Sequence, residues 1–174
     1  CEPTLSSRES TLAKVIAETG ATEIHPYNNF QVIAGQGTVA KELLEDYPQI
    51  NLVLCPVGGG GLLSGTALAV KALSPTTNMI ACEPAGADDA FRSFYAGRIF
   101  PSENPKTIAN GLLTSLGTMN FSIISQHVDA VVTVGEDSII HAMRLIWERM
   151  KIIIEPSSAV PLAAILEGKI NARG

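Results

Sequence analysis

Apolar residues along this chain fall into two kinds of pattern. Leu52-Val53-Leu54-Cys55 is a short continuous run, bounded by Asn51 before it and by glycines after Val57, and predicts a buried strand. Asn78 to Cys82 and Ala130 to Val134 read the same way. Elsewhere the spacing is helical. Val32, Ile33, Gln36, Val39, Ala40, Leu43 and Leu44 predict one helix that ends near Asp46-Tyr47-Pro48. Leu62 to Leu73 forms a second, with Ala67, Leu68, Val70 and Leu73 apolar. Ile139, Met143, Ile146 and Met150 mark an amphipathic helix carrying Trp147, whose methionine and tryptophan side chains are assigned to the core. Arg8 to Glu18 is predicted helical, capped by Ser6 and Ser7 and closed by Gly20. Asp88 to Ala96 and Ala159 to Glu167 complete the helices. Thr22 to His25 is expected as a short strand ended by Pro26, and Ile152-Ile153-Ile154 as a buried strand leading to Glu155. Pro101 to Lys106 is expected as a loop, with Pro101 and Pro105 forbidding regular structure across it.

Alternating strands and helices imply an α/β fold, a parallel sheet with helices on both faces. Ligands in such sheets bind beyond the carboxyl ends of the strands. Gly58-Gly59-Gly60-Gly61 falls at that place, between a strand and a helix start. Without Cβ atoms the backbone approaches a ligand closely, and several N–H groups converge with the positive helix end, which suits a phosphate. A dinucleotide fingerprint requires glycine at the sixth position, where this chain has Leu63 or Ser64. A P-loop requires lysine where Thr66 stands. The spacing therefore favours a compact phosphate monoester over a plain βα turn.

Charge and composition narrow the classes further. The net charge is −5 with no basic cluster, which argues against nucleic acid and an anionic membrane surface. Hydrophobic residues make up 46% and mean hydropathy is +0.24, enough for one domain with a buried core. There is no run of membrane-span length and no signal peptide. Cys1, Cys55 and Cys82 form no metal-type pair, and the expected location is cytoplasmic. The chain opens on Cys-Glu-Pro and stops after an unfinished helix, so it reads as a piece of a longer protein.

Glu83-Pro84-Ala85-Gly86-Ala87-Asp88-Asp89 leaves a strand with carboxylates and freed carbonyls that can surround Mg²⁺, Mn²⁺ or Ca²⁺. An acid twenty-odd residues past a glycine turn is also where a Rossmann site holds a ribose, and a solvated turn with Asp88 as helix N-cap is the plainest alternative. His25, His127 and His141 are scattered without ligand spacing. Ser157 and Ser158 are assigned as helix N-caps, while Glu155 is expected to point into a site.

Taken in order, several stretches resemble the serine racemase and serine/threonine dehydratase family: His25-Pro26 with Val32-Ile33-Ala34-Gly35-Gln36-Gly37-Thr38, Pro56 to Leu62, Glu83-Pro84 with Ala87-Asp88-Asp89, Trp147-Glu148-Arg149-Met150-Lys151, and Ile154-Glu155-Pro156. The resemblance implies a fold-type II enzyme (tryptophan synthase beta-like) using pyridoxal 5'-phosphate (PLP), present here incompletely. It places the PLP phosphate on Gly58, Gly59, Gly60 and Gly61 and the cofactor ring beside Gly111, with Asn110 where the family more often has Asp. Tyr27 falls near the cofactor hydroxyl, and a divalent cation would sit on Glu83, the Ala87 carbonyl and Asp89. Residues 1–29 would end a small domain, and residues 30–174 form part of the large one.

The family's Schiff-base lysine lies in a Ser-x-Lys segment that Lys14, Lys41, Lys71, Lys106, Lys151 and Lys169 do not supply. No catalytic residue is therefore assigned in this chain, which is expected to be inactive alone and to need the missing N-terminal part of its own enzyme. The parent would act on L-serine, L-threonine or another small hydroxy amino acid, as an ammonia-lyase or a racemase, and as a homodimer. A Rossmann-type nucleotide-binding protein and a non-catalytic regulatory or structural remnant are the alternatives.

Overall fold

In this computed structural model, residues 1–2 and 5–172 are described. Three strands, β1 (Leu52–Pro56), β2 (Asn78–Pro84) and β3 (Ala130–Val134), pair in parallel in the order β1-β2-β3. Leu54 stands opposite Ile80, and Ile80 opposite Ala130. Helices separate the strands: α1 (Leu5–Thr19), α2 (Phe30–Gln36) and α3 (Thr38–Asp46) come first, and α4 (Gly61–Leu73) joins β1 to β2. Next come α5 (Asp89–Ala96), α6 (Thr118–His127), α7 (Glu136–Met150) and α8 (Pro156–Leu166), with a short 3-10 turn at Asn110–Leu112.

The two-residue period of a strand divides the core. Val53, Cys55, Met79, Ala81 and Val131 meet Leu63, Ala67 and Val70 of α4, with Ala40, Leu44 and Ile124 behind them. Leu54, Ile80, Cys82 and Val134 meet Ile139, Ala142, Ala159, Val160 and Ala163 of α7 and α8 on the other face. Both faces are covered, as the near-continuous apolar strands predict. Cys55 and Cys82 are buried and free, and burial pushes both thiols up to about 12. No described helix is long and apolar enough to cross a membrane.

Several sequence expectations change. The single helix expected from Val32 to Leu44 is two, broken at Gly37, whose N–H is shared between the Ile33 and Ala34 carbonyls at 3.2 Å each. The bend lets α4 approach so closely that a Cβ on Gly65 would meet the Ile33 carbonyl oxygen. Thr22 to His25 forms no strand, and neither does Ile152 to Ile154. Ile153 is 87% exposed, and no described strand pairs with it. Trp147 and Met150 are not core, at 65% and 63% exposed; the inner face of α7 is Ile139 and Ala142. Helix α1 starts at Leu5, so Ser6 and Ser7 lie within its first turn rather than before it. Ser157 and Ser158 likewise lie inside α8, where Glu155 holds the N-cap position.

One ion pair fastens the amino ends of β2 and β3. Asp129 Oδ2 accepts hydrogen bonds from Lys71 Nζ at 2.8 Å and from the Met79 amide at 2.6 Å. Burial alone would raise this carboxyl. The Lys71 hydrogen bond, the Met79 amide and the Lys71 charge together outweigh it and hold the group below its ordinary 3.8. A depressed carboxyl contributes stability above its unfolded value and loses it as pH falls through the folded one. Asp129→Asn is expected to cost about 1 kcal/mol at neutral pH, low for a charge-assisted bond because the side chain is 43% exposed. In urea melts at successive pH values the difference from wild type should vanish in acid. A difference independent of pH would show that the charge contributes nothing.

Candidate functional site

The turn after β1 is built so that its amides are free. Val57 still donates to the Cys82 carbonyl at 3.0 Å, which ends the ladder. Among the described residues, the N–H groups of Gly58, Gly59, Gly60 and Gly61 then donate to no protein acceptor, although all four glycines are buried. Gly60 adopts φ +92° and sets the first turn of α4 at an angle open only to glycine without strain. Free amides and the positive end of α4 face a cavity of about 480 Å³.

Chain segments far apart in sequence line that cavity. Tyr27 lies across the loop, its ring filling the space a Cβ on Gly59 would need. Its hydroxyl is raised above the ordinary value, chiefly by burial, with the Thr114 hydroxyl and the Arg8 charge opposing. His25 fixes the turn that carries Tyr27, its Nδ1 accepting from the Asn28 amide at 3.0 Å. Gly111 enters from the 3-10 turn and donates its N–H to Ser157 Oγ at 3.2 Å. A Cβ on Gly111 would lie 2.8 Å from that oxygen and 3.4 Å from Glu155 Oε1. The structure thus brings together Tyr27, the glycine tetrad, Gly111 and Glu155, all singled out in the sequence. Ser157 joins them as a buried hydroxyl at the lip of α8. Asn120, buried on α6 with its Nδ2 donating to the Tyr27 and Gly59 carbonyls at 3.0 and 2.9 Å, was not anticipated: one buried asparagine within that helix leaves no sequence signal.

Glu83, Ala87 and Asp89 stand apart from this cavity, at the carboxyl end of β2. Glu83 is fully buried, and its two carboxylate oxygens accept the Ala90 and Phe91 amides at 2.9 and 2.8 Å. The strand residue therefore caps α5. Asp88 occupies the N-cap position without capping, its carboxylate pairing instead with Arg92 Nε at 2.8 Å. Asp89 is 1% exposed and neither of its carboxylate oxygens has a hydrogen-bond partner among the described residues. Burial pushes Glu83 up to about 8 and Asp89 up to about 6; the nearby Leu116 amide and Ser102 hydroxyl moderate the second without completing a hydrogen bond. The Ala87 carbonyl accepts no described hydrogen bond. No cluster of three or more His, Cys, Asp or Glu side chains suited to a metal occurs among the described residues, so a cation here would rest on two carboxylates and a carbonyl.

A parallel sheet whose first strand runs through a glycine loop into a helix is an α/β arrangement that sets free amides at the carboxyl ends of its strands, a place suited to an anion. The chain belongs to the family described as pyridoxal-phosphate dependent enzyme, whose model matches residues 1–174. It is 52% identical over 167 residues to a beta-hydroxyaspartate dehydratase of Paracoccus denitrificans, covering 96% of this chain and 53% of that protein. It is 51% identical over 169 residues to a serine racemase of Dictyostelium discoideum, covering 96% and 52%. The crystal structure of that racemase superposes with a TM-score of 0.89 over 97% of this chain and 54% of its own. A maize serine racemase structure is 43% identical with a TM-score of 0.93, over 97% and 52%. The fold is thus the fold-type II architecture that the sequence resemblance implied, and the chain spans about half the length of the curated relatives it matches.

Proposed function

We propose that this chain forms the phosphate-holding part of a PLP-dependent enzyme acting on a small hydroxy amino acid. The full-length enzyme eliminates the β-hydroxyl to give a keto acid and ammonia, or inverts Cα. The observation that carries this reading is the set of buried, unpaired amides of Gly58 to Gly61 at the start of α4. A phosphate dianion satisfies them at once, and the helix end adds favourable charge. The relatives at 52% and 51% identity include both a dehydratase and a racemase, which is why both outcomes stay in the proposal.

When bound, PLP supplies an electron sink for charge developing at the substrate Cα. This chain's residues bind and orient. The tetrad anchors the phosphate, Tyr27 covers the loop, and Gly111 leaves room for the flat ring where any side chain would meet Ser157. Ser157 holds the Gly111 turn in place through its hydroxyl oxygen. In this reading residues 1–29 end the small domain and residues 30–174 belong to the large one. The Schiff-base lysine is contributed from outside this chain, and the enzyme is a cytoplasmic homodimer.

A divalent cation would answer the second site's imbalance, because Asp89 buries two unpaired carboxylate oxygens and the Ala87 carbonyl, two residues earlier, accepts no described hydrogen bond. Its role would be to hold α5 against the end of β2, since Glu83 already joins the two.

The test is an assay of the full-length enzyme with PLP on L-serine, L-threonine and 3-hydroxyaspartate. Keto acid with ammonia establishes the lyase, and appearance of the opposite enantiomer the racemase. Borohydride trapping and peptide mapping would locate the lysine. Turnover of none of the three substrates, or turnover that does not depend on PLP, would refute the proposal.

A further inference from the structure

The loop amides can serve an anion only if their peptide planes are turned the right way, and the structure shows what turns one of them. The Gly59 carbonyl and the Gly60 N–H belong to one trans peptide and point in opposite directions. That carbonyl accepts two hydrogen bonds on the side away from the cavity, from Asn120 Nδ2 at 2.9 Å and from the Gly117 amide at 3.1 Å. Pinning it there directs the Gly60 N–H toward the cavity. The second hydrogen of the same Nδ2 goes to the Tyr27 carbonyl at 3.0 Å, so one amide also ties down the residue lying over the loop.

We infer that Asn120 is a positioning residue for the phosphate cradle, setting the Gly59–Gly60 peptide and the backbone of Tyr27 together. Two carbonyl acceptors on one side require the NH2 end of the side chain to face them. Its own oxygen, Oδ1, is buried and has no partner among the described residues. Leu116 and Ile124 flank Gly60 beside it, and Asn28 is the polar neighbour on the Gly117 side. An amide half-satisfied in such a place is costly, and an apolar residue of similar volume would fill the space better. The two hydrogens are what the position requires. Asn28 reinforces the arrangement from the next residue, its Oδ1 accepting the Met119 amide at 3.0 Å.

This inference rests on the PLP reading above, and its test separates the two. Full-length apoenzyme, wild type, Asn120→Asp and Asn120→Ala, is titrated with PLP and, in parallel, with pyridoxal, which lacks the phosphate. Asp keeps the shape but sets an oxygen against two carbonyls; Ala removes the donors without adding charge. PLP affinity is expected to fall about tenfold to a hundredfold in both variants, with pyridoxal affinity held within about twofold. The phosphorus NMR signal of bound PLP should shift in the variants as well. Equal losses for PLP and pyridoxal would make Asn120 a merely structural residue and overturn the inference. So would unchanged PLP affinity in a wild-type background that prefers PLP to pyridoxal. A wild-type enzyme that binds both alike would overturn the phosphate reading and this inference with it.

Discussion

Gly60→Ala is expected to weaken PLP binding by the full-length enzyme about a hundredfold. Two costs coincide at this residue. Its φ of +92° is strained for any L side chain, and a new Cβ would lie 2.8 Å from Asn120 Cβ, 3.0 Å from Leu116 Cδ2 and 3.1 Å from Ile124 Cδ1. Asn120 and Ile124 are at most 1% exposed and Leu116 5%, so the core cannot yield to the methyl. The loop must move instead, and strain with overpacking together amount to about 2 to 3 kcal/mol, or roughly 30-fold to 160-fold. Displaced amides no longer converge on one point. Gly97→Ala supplies the control, with φ +69° but nothing within 4 Å of its Cβ. It should lower stability modestly and leave PLP affinity alone. If equilibrium titration with PLP finds the two variants alike, the glycine loop does not hold the phosphate.

What could be read from the sequence followed from local pattern. The strands at Leu52, Asn78 and Ala130 and the helix after Gly61 were legible because continuous apolar runs and helical spacing are local signals, and the glycine tetrad announced a close approach by the absence of side chains. The failures share a different cause. Whether Val32 to Leu44 is one helix or two depends on Gly65 of another helix, and no periodicity within the segment reports that contact. Ile152 to Ile154 has strand composition but no strand to pair with among the described residues, so tertiary context overrides propensity. Trp147 shows the same limit, since apolar spacing on α7 cannot say which apolar side chains face the sheet. Site residues divide likewise. Tyr27, Gly111 and the set of Glu83, Ala87 and Asp89 entered through family resemblance, whereas Asn120 acts through two backbone carbonyls 61 and 93 positions away and leaves no trace in its own segment. Glu83 was legible as an acid after a strand, but not as the cap of α5, because ordinary capping is sought within the helix's own first residues.

Millimolar Mg²⁺, Mn²⁺ or Ca²⁺ is expected to raise the melting temperature of the full-length enzyme, and Asp89→Asn to abolish that response. Asp89 brings a carboxylate into a region 1% exposed with no partner for either oxygen, beside the buried Glu83. A desolvated carboxylate with no donor destabilises a fold unless a cation joins it. An ion at a hundred times its dissociation constant would add about 2.7 kcal/mol. Asn at position 89 carries no charge to be compensated, so the variant should be at least as stable as wild type when both are stripped with chelator, and less stable when both are loaded. That crossing of the two melting curves is the diagnostic result. A cation response that survives Asp89→Asn would place the ion elsewhere. No response in the wild-type enzyme would mean that Glu83 and Asp89 serve only the packing of α5 on β2.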